Sequence, residues 1–230
     1  MESYKLVSRC TVDDARDLAE NNMSAFGRES WWNLLWTNKS LDYMVAQCAR
    51  QYPAKLLSAR DVTRHQKVVE ASTGKAVGYA RWILPESLAG NWLEARVPGV
   101  DEEDKMRYEE EFAAADWTMR GDLDVLKVPV REGIRKHAPK RPHMVLDYLA
   151  VHPSHQGRGI AGMLVQSGIR QADVLGLDIS LVAIGGRALA MYTRNGFELM
   201  GQCLQDLEPW GVEGFYNTYF LVRHAANTDG

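Results

Sequence analysis

Two glycines flanking an arginine, Gly157-Arg158-Gly159, are where this sequence concentrates residues able to do chemistry. Val145, Leu146, Leu149 and Val151 crowd a short apolar run before Pro153, as a buried strand does. Ile160, Leu164, Gly168, Ala172 and Leu175 then recur at helical spacing. A glycine-rich turn entering a helix leaves free N–H groups at the positive end of the helix dipole. Such a turn cradles an anion, usually a phosphate. Two cradles fit the letters. Gly157-x-Gly159-x-x-Gly162 spells the dinucleotide fingerprint, and Gln156-x-x-Gly159-x-Ala161 spells a second pattern. The fingerprint needs its strand to enter the first glycine directly, and an acidic residue at the end of the next strand. Here the five residues His152 to Gln156 intervene, and the next strand ends in Ile184-Gly185-Gly186, with Asp178 lying before it. Some 150 residues also precede a motif that normally opens its domain. The second pattern is the better fit.

That second pattern resembles the acyl-CoA pyrophosphate loop of the GNAT superfamily of N-acetyltransferases, Gln/Arg-x-x-Gly-x-Gly/Ala after a strand and a proline. Gln156, Gly159 and Ala161 fill its three positions, and Tyr192-Thr193-Arg194-Asn195-Gly196-Phe197 matches the family's Tyr-x-x-x-Gly-Phe one helix and one strand later. The run around Gln156-Gly157-Arg158-Gly159-Ile160 is similar to that of fungal members acting on small molecules. The resemblance covers residues 144 to about 200. It implies acetyl-CoA as co-substrate, with backbone amides of Gly157, Arg158, Gly159, Ile160 and Ala161 on the pyrophosphate. Gln156 belongs to the same loop, and the Arg158 side chain is a further phosphate contact. It also implies that backbone groups of Leu149 and Val151 pair with the pantetheine and polarise the carbonyl. Tyr192 corresponds to the tyrosine that protonates the departing thiolate. Asp147, near a position often acidic in the family, is the candidate general base, with His152 and His155 as alternatives. The family often has an asparagine before the tyrosine helix; Ile184-Gly185-Gly186-Arg187 stands there, and Arg187 is a substitute.

Transfer of an acetyl group to an amine poses two problems. An alkylammonium of pKa about 10.4 is about one part in 10³ neutral near pH 7, a cost of roughly 4–5 kcal/mol. The carbonyl oxygen must also carry negative charge while the thiolate departs. An aniline-type amine is already neutral and escapes the first cost. The expected acceptor is a small-molecule amine, xenobiotic or arylamine in type, with a protein or peptide amine and a non-catalytic CoA-binding role as alternatives.

The elements that must position these groups read as an α/β chain. Tyr4 to Cys10 alternates as a strand, and Thr11 or Asp13 caps a helix through Phe26. A second helix starts at Ser40 and runs to a break at Pro53. Between them, Trp31, Trp32 and Trp36 read as helix packing, with acceptor contact as the other reading. Gln66–Ala71 and Ala76–Leu84 form a hairpin through Ser72-Thr73-Gly74-Lys75. Residues 86–143 read as a helical insertion, with one helix from Asp101 carrying Tyr108, Phe112, Ala115 and Met119, and another over Val130–Ala138. Met144–Val151 is the central strand, Asp178–Ala183 the next, Arg187–Asn195 a helix, and Phe197–Leu207 and Phe215–Val222 the last two strands. The fold class is thus a GNAT-like mixed, mostly antiparallel sheet flanked by helices. Residues 1–230 form one domain, and 224–230 a flexible tail.

Composition agrees. An apolar fraction of 46 % supports a substantial core, and a net charge of −3 with pI near 6.1 lacks the basic face nucleic acid requires. Cys10, Cys48 and Cys203 suggest reduced thiols and no zinc site. No apolar run approaches the ~20 residues of a membrane span, and no signal peptide is evident at Met1-Glu2-Ser3-Tyr4, so a cytoplasmic protein is expected. A homodimer is compatible with this size. The acidic face of Glu102, Glu103, Glu109, Glu110 and Glu111 reads as solvated, or as a field attracting cationic amines.

Overall fold

The computed structural model describes residues 3–27, 29–36 and 38–226. Its centre is a seven-stranded sheet of β1 (Tyr4–Val7), β2 (Thr63–Glu70), β3 (Ala76–Ile83), β4 (Met144–Val151), β5 (Ile179–Ile184), β6 (Glu198–Asp206) and β7 (Phe215–Arg223). The spatial order is β1-β2-β3-β4-β5-β7-β6, and only β4 and β5 run parallel. A parallel pair needs a crossover, and here it is the helix Ile160–Leu175. The fold is the expected mixed, mostly antiparallel sheet with flanking helices.

The helices are α1 (Ala15–Phe26), α2 (Ser30–Leu35), α3 (Leu41–Leu57), α4 (Glu102–Ala113), α5 (Lys127–His137), α6 (Ile160–Leu175) and α7 (Gly186–Arg194). Helix α6 covers one face of the sheet, over a core holding Trp82, Leu146, Leu164 and Ile179. α1 and α3 cover the other face, over Cys10, Leu18, Cys48, Leu56 and Tyr79, and α5 lies across β6 and β7. Two glycines bring α6 close. A Cβ on Gly168 would lie 2.1 Å from Trp82, and one on Gly78 would lie 2.5 Å from Ile160. The second contact fixes the first turn of α6 against β3, which sets the height of the anion cradle.

Several boundaries differ from the sequence reading. Helix α3 does not break at Pro53 but carries it inside and ends at Leu57. Pro53 and Leu56 are buried against the sheet, and that packing outweighs one lost backbone hydrogen bond. β1 stops at Val7, and Cys10 enters the helical core instead. α4 ends at Ala113, short of Ala115 and Met119. Within residues 86–143 three parts behave separately. Residues 86–97 form two 3₁₀ turns packed into the main core through Trp92 and Ala95, and buried Arg64 donates to the carbonyls of Ala89 and Asn91. α4 lies against α3, and α5 follows a 3₁₀ turn at Gly121–Leu126.

Arg141 and the backbone N–H of Ala225 both donate to Asp178, and the Ala226 N–H donates to Asp173. The rest of the expected flexible tail, 227–230, lies outside the described residues. Among the described residues, no helix is long and apolar enough to cross a membrane.

Candidate active site

The site follows from a split in the sheet. β4 pairs with β5 only from Met144 to Leu146, against Ile179 to Leu181. Beyond that point β4 stays with β3 and β5 with β7, so β4 has no β5 partner from Asp147 on. A bulge starts the divergence: Arg81 pairs with Tyr148 and Trp82 with Leu146, leaving Asp147 extra. Backbone groups of Leu149, Ala150 and Val151 therefore face a gap rather than a neighbouring strand.

A cleft of about 570 Å³ occupies this gap. Leu149, Ala150 and Val151 form its floor, the α6 turn from Gln156 to Gly162 one wall, and Arg187, Ala188, Met191 and Arg194 of α7 with Asn195 just beyond it the other. The end of α1 closes it, through Ala25, Phe26 and Glu29. Gly157 and Gly159 have φ of +77° and +82°, and a Cβ on either would meet nothing within 4 Å. The loop is open on the cleft side, its left-handed turns suit glycine, and the first amides of α6 have no partner one turn earlier. A diphosphate-bearing group fits this donor set.

The side chains around the loop divide between binding and support. Gln156 donates to the carbonyl of Val151 at 3.1 Å and accepts from Arg187 at 3.3 Å, tying strand, loop and α7 together. Arg158 turns away from the cleft and donates to the Tyr4 hydroxyl at 2.8 Å. His155 also meets that hydroxyl, at 3.0 Å, and His152 accepts from the Ser154 N–H. The cations that do line the cleft are Arg187 and Arg194, and Arg194 has no hydrogen bond or ion pair among the described residues. Residue spacing signals both: Arg187, Met191 and Arg194 recur on one helical face. Asn195, at an unspecified position of the tyrosine motif, and Ala25, Phe26 and Glu29, in no motif, escape a sequence reading.

Tyr192 is buried beside Phe197, with ring centroids 5.5 Å apart, and it packs into the core under α7 next to cleft-lining Met191. Burial raises its hydroxyl pKa well above the ordinary value, so it stays a proton donor at neutral pH. Asp147 lies elsewhere than alternation suggests. Two residues from Leu149, it was expected on the same face, but the bulge reverses the count. Leu149 packs on the α6 side, whereas Tyr148 packs toward α1 and α3. Asp147 accepts from Arg81 Nε at 2.5 Å and lines a cavity of about 300 Å³ under α5 with Val145, Ile134 and Phe220. Another cavity of about 300 Å³ adjoins it at Val130, lined by Trp31, Leu35, Leu123 and Tyr216. Trp31 thus combines packing with a place on a cavity wall, while Trp36 is core. Phe26 touches Trp31 and Tyr148, separating the cleft from these cavities.

Solved proteins share this fold. The C-terminal condensation domain of Ebony, in complex with β-alanyl-dopamine, has a TM-score of 0.62 at 14 % identity, covering 98 % of this chain and 100 % of that one. A Corynebacterium glutamicum protein described as histone acetyltransferase HPA2 and related acetyltransferase gives 0.60 at 17 % identity over the whole of both chains. A phosphinothricin acetyltransferase from Sinorhizobium meliloti, solved with acetyl-CoA, gives 0.50 at 12 % identity, covering 99 % of this chain and 91 % of that one. At such identities the likeness is one of fold. The sequence itself matches the model of the acetyltransferase (GNAT) family from residue 28 to residue 197, from just beyond α1 through α7. The chain belongs to the GNAT acetyltransferase family and takes its acyl group from acetyl-CoA.

Proposed function

We propose that this enzyme acetylates the primary amine of a small molecule with an apolar or aromatic body. The observation that carries this reading is the small, largely apolar cavity between α5 and Trp31. The turn at Gly121–Leu126 and α5 itself roof a space of about 300 Å³ beside Trp31 and Tyr216. That volume suits one small ring system and its side chain. The acidic helix α4 does not border it: none of residues 102–113 lines the cleft or either cavity. The fold alone does not choose the acceptor, since related chains carry both histone and small-molecule descriptions.

In this reading the amides of Gly157 to Ala161 and the guanidinium groups of Arg187 and Arg194 hold the diphosphate of acetyl-CoA. Backbone groups of Leu149 and Val151 hold the pantetheine. Gln156 takes a supporting role, because its amide is committed to Val151. Tyr192 gives a proton to the departing sulfur. The three free cysteines, two of them buried, suit a reducing cytoplasmic setting.

A thiol-release assay across arylamines, phenylalkylamines, polyamines, aminoglycosides and lysine peptides tests the reading. Turnover is expected with the aromatic amines at kcat/KM at least ten times that of any peptide. Preference for a peptide by the same margin would refute it.

A further inference from the structure

The acceptor's proton must go somewhere, and the geometry assigns it to Glu29, at the junction of α1 and α2. We infer that the Glu29 carboxylate receives the proton of the acceptor ammonium. Glu29 is the one carboxylate among the described residues that line the acetyl-CoA cleft, a cleft it shares with Leu149 and Ala150. Its backbone is held on both sides. The Glu29 N–H donates to the Phe26 carbonyl at 2.9 Å, and the Glu29 carbonyl accepts from Trp32 and Asn33 at 3.0 and 3.1 Å. The side chain is exposed and has no ion pair or hydrogen bond among the described residues, so its oxygens are available. Asp147 differs in two respects: it lines the cavity under α5 and not the cleft, and Arg81 occupies its Oδ2.

Position explains the assignment. Phe26 stands between the cleft and the aromatic wall of Trp31, and Glu29 follows it by three residues on the same side of the cleft. An amine held beside Trp31 would have to pass Phe26 and Glu29 to reach the gap in the sheet. One N–H proton of the ammonium moves to Glu29, freeing the nitrogen lone pair. The N–C bond then forms and the C–S bond breaks. The sulfur leaves as a thiol with the proton from Tyr192, the second N–H proton passes through solvent to restore the Tyr192 hydroxyl as the amide forms, and Glu29 returns its proton to water, so that one proton is released per turnover. The inference rests on amine acetylation as proposed above, not on the size of the acceptor.

The test compares acceptors that need deprotonation with acceptors that do not. In Glu29→Gln, kcat/KM for 2-phenylethylamine is expected to fall about 100-fold or more. That for 4-methoxyaniline, neutral at pH 7, should change less than about threefold, with calorimetric affinity for acetyl-CoA unchanged. Glu29→Asp should recover part of the alkylamine loss. Equal losses on both amines, or no loss on either, would overturn the assignment, as would a selective alkylamine loss seen in Asp147→Asn and not in Glu29→Gln. A wild-type enzyme that accepts arylamines alone would overturn it too, since no proton then needs removing first. If only peptides are acetylated, the small-molecule reading fails by itself. The same comparison then runs on a lysine peptide against one bearing 4-aminophenylalanine, with the same expected and refuting results.

Discussion

Tyr192 and the arginines of α7 share one short helix, yet they face different solvents. Tyr192 is buried against Phe197, where burial raises its pKa and keeps the proton on its oxygen at neutral pH, as the proposed proton donor requires. Tyr192→Phe is expected to lower turnover about 10- to 100-fold while leaving acetyl-CoA affinity within about twofold. Rates from thiol release and affinities from calorimetry check this, and an unchanged rate would leave Tyr192 only its packing. Arg187 and Arg194 line the cleft, where a charge-assisted hydrogen bond from either to a bound phosphate would be worth about 1.5–3 kcal/mol. Arg194→Ala should raise the dissociation constant for acetyl-CoA about 10-fold at low salt, with a smaller penalty at high salt as screening takes over. A variant with wild-type affinity at low salt would remove Arg194 from the phosphate site. The motif letters named Tyr192 but not Arg194, because a motif records identity while a helix face records direction.

Helix α5 shows how an element obtains its place. A Cβ on Gly133 would lie 2.0 Å from the Phe220 ring, and one on Gly201 would lie 2.5 Å from His137, which itself stacks on Phe220 at 5.5 Å. Glycines on both sides let the helix sit directly on β6 and β7. Gly133→Ala must lift α5 or displace Phe220, and overpacking of this kind costs about 1–3 kcal/mol. The expected result is a lower melting temperature and a raised KM for the acceptor, with acetyl-CoA affinity unchanged. An equal effect on both substrates would mean that α5 does not border the acceptor alone. The helix itself was legible: its pattern over Val130–Ala138 lies within three residues of the observed Lys127–His137. Its docking face was not, because glycine carries no periodic signal and its partner Phe220 lies 87 residues further along the chain.

Asp178 joins three distant parts of the molecule. It immediately precedes β5, accepts two bonds from Arg141, and accepts from the N–H of Ala225. The Arg141 guanidinium holds its carboxyl down at about 2. A depressed folded-state pKa stabilises fully above the unfolded value, near 3.9, and the contribution disappears as pH falls toward 2. Acid unfolding of the wild type should therefore include a loss of stability between about pH 4 and pH 2. Asp178→Asn should reduce stability at pH 7 by about 1–3 kcal/mol and flatten that part of the profile. A variant with an unchanged acid profile would assign the loss to other carboxylates.

The sequence by itself determined the family, the donor and the order of the elements. Those rest on short-range rules: a glycine turn needs left-handed φ at Gly157 and Gly159, a helix repeats its apolar face, and a motif keeps its spacing. Tertiary structure alone decided which way the chemistry faces. One extra residue at the Asp147 bulge turned the expected base toward the other side of the sheet. Arg158 was drawn from the phosphate loop to Tyr4, 154 residues earlier, and Glu29, in no motif, came to the mouth of the cleft because α1 ends there. Direction depends on register and on contacts between residues far apart in the chain, and neither is written in local spacing.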